Sequence, residues 1–119
     1  MDKKITFGQA KVLIVGTCNK RGWKPKTKDI AISISLEAGE LLEHFQFKDA
    51  IENREELALE VADVVFYLFE LCEREGIDIS EALKRKIKKI DEKYPADKIK
   101  KLGRDFYYEQ KKKYRANKK

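Results

Sequence analysis

An all-helical fold is predicted by three features of this sequence. Helix formers (Lys, Glu, Leu, Ala, Ile) dominate, while the 119 residues hold only two prolines and six glycines. Apolar residues recur at helical rather than alternating spacing. Finally, capping-box spacings head the periodic stretches: Thr6 with Gln9, Asn53 with Glu56 and Asp78 with Glu81. The length fits one domain with a modest core. We therefore expect a four-helix bundle forming a single domain over residues 1–110, followed by a basic C-terminal tail over 111–119.

The elements follow in order. A first helix is expected from Thr6 to Cys18, ended by a loop over Asn19–Lys28 that Gly22 and Pro25 impose. A second covers Asp29–Phe47, with Ala31, Ser35, Ala38, Leu42 and Phe45 forming a stripe of small and apolar residues. A third covers Arg54–Glu75, closed by Gly76. Its apolar residues, among them Val61, Val64, Val65, Phe66, Leu68, Phe69 and Leu71, run most of the way round. Such a helix belongs at the centre of a bundle or in a subunit interface. A fourth runs from Ile79 to Lys93 with Leu83, Ile87, Ile90 and Tyr94 inward, and Pro95 ends it. Asp97–Tyr114 is read as a further helix or a packed arm, because Phe106, Tyr107, Tyr108 and Tyr114 need somewhere to dock.

Charge is plentiful, at 40% of residues, with a net of +6. Residues 111–119 hold six Lys/Arg and no acid, so 1–110 is neutral overall, with 21 basic and 21 acidic residues. The tail is read as a solvated terminus, and nucleic-acid binding is not expected of it. Cys18 and Cys72 lie far apart with no CxxC, the pattern of reduced packing residues. MDKKITFGQ lacks the apolar run of a signal peptide, and the longest apolar stretch, Val61–Leu71, is interrupted by Asp63 and Glu70. A cytoplasmic protein with no membrane partner is expected.

Four carboxylates carry the chemistry. Glu37 and Glu40 are three residues apart on the second helix, and Glu60 and Asp63 are three apart on the third, so each pair shares a helix face. Glu37 is flanked at helical spacing by Ile30, Ile34 and Leu41; Glu60 by Leu57, Val64, Tyr67 and Leu71. Acids set into apolar faces need positive compensation. An all-oxygen donor set without Cys or His favours Mg²⁺ or Mn²⁺. His44, the single histidine, directly follows Glu43, so the Glu-x-x-His pattern of a di-iron bundle is absent. His44 is read as a packing residue, and Glu43, Glu52, Glu55, Glu56 and Glu70 as surface residues.

Three segments, KTKDIAISISLEAGELLEHFQF (27–47), EELALEVADVVFYLFELCEREGIDISEALKRKI (55–87) and EKYP (92–95), resemble the MazG-like nucleotide pyrophosphohydrolases, including their dCTP pyrophosphatase branch. The family's ExxE…ExxD signature stands here as Glu37/Glu40 and Glu60/Asp63. The resemblance implies a four-helix fold working as a homodimer or homotetramer, with active sites near subunit interfaces. It implies that a nucleoside triphosphate is hydrolysed to the monophosphate and pyrophosphate, a house-cleaning activity on nucleotide pools. It places Mg²⁺ on Glu37, Glu40, Glu60 and Asp63. Phe47, at a position usually tryptophan, would lie near the base; Tyr67 and Tyr94 near the nucleotide; Lys86 and Lys93 on phosphate; and Trp23 matches a loop tryptophan before the second helix. The competing reading is a non-catalytic helical module that uses the basic tail to touch nucleic acid or protein.

Overall fold

The computed structural model describes residues 4–46, 51 and 53–117. These are all-helical, in the order α1 (Phe7–Lys20), α2 (Thr27–Glu43), α3 (Arg54–Glu75), α4 (Ile79–Lys93) and α5 (Ala96–Ala116). No helix among them is long and apolar enough to cross a membrane. The chain divides into two compact units, Met1–Ile79 and Ser80–Lys119.

The first unit is built around α3, on which both α1 and α2 pack. Its helices begin where the capping signals lie. Thr6 Oγ1 accepts from Gln9 N–H (3.1 Å) while Thr6 N–H donates to Gln9 Oε1 (2.8 Å), so each satisfies a backbone or side-chain group of the other. Asn53 Oδ1 likewise accepts from Glu56 N–H (3.1 Å) at the head of α3. Gly76 ends α3 at φ 65°, a left-handed geometry that a side chain disfavours. There the Ile77 N–H donates back to the Cys72 carbonyl at 2.8 Å.

Helix α2 departs from the expected limits at both ends. It starts at Thr27, whose hydroxyl bonds to Glu75 on α3. It stops at Glu43, where His44, Phe45 and Gln46 each donate to a carbonyl three residues back and tighten the chain out of the helix. The stripe over Ala31, Ser35, Ala38, Leu42 and Phe45 faces outward: all five residues are exposed. The inward side is Ile30, Ser33, Ile34, Glu37, Leu41 and His44. That is the face on which Glu37 sits between its apolar neighbours, and α3 turns the matching face, Leu57, Glu60, Val64, Tyr67 and Leu71, inward.

Among the described residues, the buried apolar side chains are Cys18, Ile30 and Phe69. Phe69 meets Phe7 of α1 edge-on, with ring centroids 5.6 Å apart. Burial pushes the thiols of Cys18 and Cys72 above their usual range, aided at Cys18 by its hydrogen bond to Glu70. Both are free, and their protonated state suits packing. Large apolar residues stay outside, including Leu36 (65% exposed), Leu42 (68%), Leu59 (64%) and Val61 (45%).

The second unit holds α4 and α5. Leu83, Ile87 and Ile90, the expected inner stripe of α4, are exposed, while Tyr94 is half-buried against Tyr107 with centroids 5.0 Å apart. The basic end is not a loose tail over its whole length: α5 stays helical through Ala116. Lysine 93 lies over the Tyr114 ring (5.1 Å) and Lys111 over the Tyr107 ring (5.8 Å), which gives the aromatic residues their docking partners within the unit. Gly103 interrupts the helix at φ 79°, ψ −162°.

Candidate active site

Helices α2 and α3 run antiparallel. His44 near the end of α2 meets Glu60 early on α3, Glu37 faces the Glu60–Asp63 turn, and Ile30 and Ser33 lie opposite Phe66, Tyr67 and Glu70. This pairing sets the two carboxylate claws within electrostatic reach of each other. Glu37 and Glu60 are half-buried on the inward faces; Glu40 and Asp63 are exposed at the rim.

The electrostatics record the convergence. The carboxyl of Glu37 is pushed above its ordinary value of 4.5, first by a hydrogen bond from its protonated form to Glu40, then by desolvation, then by the charges of Glu40, Asp63 and Glu60. All three other members of the quartet therefore act on it. The buried Glu37 Oε2 has no hydrogen-bond partner. An orphaned carboxylate oxygen amid three further acids fits a hard divalent cation in donor chemistry. The cage is not closed, since among the described residues no three His, Cys, Asp or Glu side chains are gathered tightly enough to enclose a metal.

Beside the quartet lies a cavity of ≈ 530 Å³ lined by Trp23, Lys24, Asp29, Ser33, Phe66, Tyr67 and Glu70, among others. The fold thus brings two of the candidate substrate-binding residues, Trp23 and Tyr67, to one cavity. Trp23 is fixed at the loop by its N–H to the Cys18 carbonyl (3.0 Å), and the Arg21 guanidinium lies over its ring (5.6 Å). Tyr67 links the cavity to the acids. Its hydroxyl is held above its usual range mainly by burial, and then by the negative charges of Glu37, Glu70 and Asp63.

The other candidates are placed differently. Phe47 lies outside the described residues. Lys86, Lys93 and Tyr94 belong to the second unit: Lys86 is exposed on α4, and Lys93 is engaged with Tyr114.

Two residues read as bystanders in the sequence make polar contacts in the structure. Glu70 is half-buried rather than a surface residue. It accepts a hydrogen bond from Cys18 Sγ (3.4 Å) and lines the cavity. Its position seven residues after Asp63, on the same side of α3, is the signal that could have found it. His44, read as packing, has Nε2 2.7 Å from Glu60 Oε2. That oxygen nevertheless accepts no well-directed hydrogen bond, so the contact is one of proximity rather than aligned donation.

Two facing helices that present paired carboxylates beside an aromatic-walled cavity define the class as an all-helical protein with an acidic site. The particular lineage is shown by comparison. The chain belongs to the MazG-like family, whose model matches residues 32–107. It is also similar to a pyrophosphatase from Archaeoglobus fulgidus, at 33% identity over 80% of this chain and 99% of that one, with a TM-score of 0.67. No curated protein sequence gives a significant match.

Proposed function

We propose that the chain is a nucleotide pyrophosphohydrolase, converting a nucleoside triphosphate and water to the monophosphate and pyrophosphate. The observation that carries this reading is the convergence of Glu37, Glu40, Glu60 and Asp63, expressed in the raised Glu37 carboxyl. Family membership and the archaeal pyrophosphatase support it. The four carboxylates would hold Mg²⁺ or Mn²⁺. When bound, the cation supplies neutralisation of the triphosphate oxygens and Lewis acidity at phosphorus.

The chain's own side chains do the rest. On this reading Glu40, exposed at the rim, would either orient the attacking water and take its proton or serve as a ligand alone. The walls of Trp23 and Tyr67 would hold the base by stacking and exclude water from it. Lys86, Lys93 and Tyr94 are assigned to the phosphates and nucleotide on the strength of the family pattern. Exposed apolar residues on α2 and α3, Leu36, Leu42, Leu59 and Val61, support a homodimer or homotetramer that covers them.

The test is a panel of canonical and modified NTPs and dNTPs assayed with Mg²⁺ or Mn²⁺. One pyrophosphate per monophosphate is expected, with no turnover in chelator. Absence of turnover across the panel, or release of orthophosphate instead, sinks the proposal.

One observation favours a second reading. The unit Ser80–Lys119 carries sixteen Lys/Arg against six Asp/Glu, whereas Met1–Ile79 carries eleven against fifteen. Basicity therefore extends well beyond the terminal nine residues. A basic helical unit bearing tyrosines suits a nucleic-acid backbone. On that reading a labelled single-stranded oligonucleotide binds the full chain, affinity falls steeply with salt, and deleting 111–119 weakens it. Salt-insensitive binding, or none, removes this reading.

A further inference from the structure

We propose that His44 is a positioning residue for Glu60, holding one oxygen of that carboxylate so that the group keeps its aim toward the cation site. The inference rests on the reading that the quartet binds a divalent cation. His44 Nε2 lies 2.7 Å from Glu60 Oε2, and the two side chains are only 13% and 26% exposed, so water competes little for the contact. Glu60 Oε2 is itself buried and accepts no directed hydrogen bond, so the close imidazole nitrogen is the polar contact the structure gives it.

The surroundings explain why the position needs a nitrogen. A cavity of ≈ 270 Å³ at this end of the helix pair is lined by Glu40, Glu43, His44, Asn53, Glu56 and Glu60. Among the described lining residues, the three acids besides Glu60 repel it rather than hold it. Asn53 offers its side-chain oxygen to the Glu56 N–H at the helix cap. His44 is the lining residue that the structure shows bringing a side-chain nitrogen to Glu60, 2.7 Å from its Oε2. Its own place is fixed by the turn that ends α2, through its N–H to the Leu41 carbonyl (3.4 Å). It follows Glu40 by four residues and so shares that residue's side of the helix. Partners of this kind fix the orientation of ligating groups, and their removal typically costs about 10- to 100-fold in metal affinity.

The experiment measures Mn²⁺ binding to the nucleotide-free full chain by electron paramagnetic resonance, alongside metal-free thermal unfolding. H44L, similar in size but without a donor, is expected to bind Mn²⁺ about 10- to 100-fold more weakly and to melt, metal-free, close to wild type. H44Q places an amide N–H at the reach of Nε2 and is expected to restore binding; H44N, one methylene short, is not. Wild-type affinity in H44L overturns the proposal. So does an H44Q protein as weak as H44N, a comparison that holds even if H44L fails to fold. If wild type itself takes up no Mn²⁺, the proposal falls together with the cation-binding reading; normal uptake by wild type and H44L alike overturns the His44 role alone.

Discussion

Replacing Glu37 by glutamine is expected to remove at least about 100-fold of the pyrophosphate-releasing activity, comparable to losing one preorganised group that stabilises charge at the reacting centre. The same substitution should leave the metal-free protein at least as stable as wild type near neutral pH. Because folding raises the Glu37 carboxyl above its ordinary 4.5, the native state holds that proton more tightly than the unfolded chain does. Its favourable contribution is complete below the unfolded value and disappears as pH climbs through the folded one. An amide at this position keeps a donor for Glu40 without the charge. Thermal unfolding in chelator across pH should thus show less loss of stability with rising pH in E37Q than in wild type. Added Mg²⁺ should raise the melting temperature of wild type more than that of E37Q. A metal-free E37Q protein markedly less stable than wild type would mean that Glu37 is a structural group.

The Phe69→Ala protein is expected to lose about 3–5 kcal/mol, the range for truncating a buried aromatic side chain. Phe69 is only 8% exposed and is one of three buried apolar residues among those described; its ring is the one that Phe7 meets edge-on to tie α1 to α3. Since small domains hold only about 5–15 kcal/mol in total, the loss should be plain in denaturant titration. Phe7→Ala should cost less, because Phe7 is 42% exposed. Equal costs for the two substitutions would place the energy in the ring pair rather than in burial.

Much of the first unit was legible in the sequence because local chemistry decides it. Asn53 and Gly76 bound α3 where their side-chain or backbone geometry is needed, and Thr6 caps α1 by the expected reciprocal bonds. The carboxylate faces were legible too, since Glu37 and Glu60 sit at helical intervals among the apolar residues that turn inward. What the sequence misjudged depended on which of two plausible faces meets a neighbour. The small-residue stripe of α2 looked suited to close packing, yet Ile30 and Ile34 supply the larger apolar area and take the inward side. Glu70 and His44 make their contacts with partners 52 and 16 residues away, Cys18 and Glu60; the spacing along α3 could have pointed to Glu70, whereas no local spacing announces the contact of His44. The early end of α2 was equally hidden, because three successive short-range turns, rather than a glycine or proline, stop it.

The direction taken by residues 104–116 is written in a missing methyl group. Gly103 adopts backbone angles reserved for a residue without a side chain, and a Cβ placed there would meet no atom within 4 Å. Nothing nearby enforces that bend by crowding; the intrinsic freedom of glycine permits it. Any L-residue at 103 would favour a straight rod, and the lysines beyond it would be re-aimed as a group. One codon thus governs where a whole cluster of positive charge points.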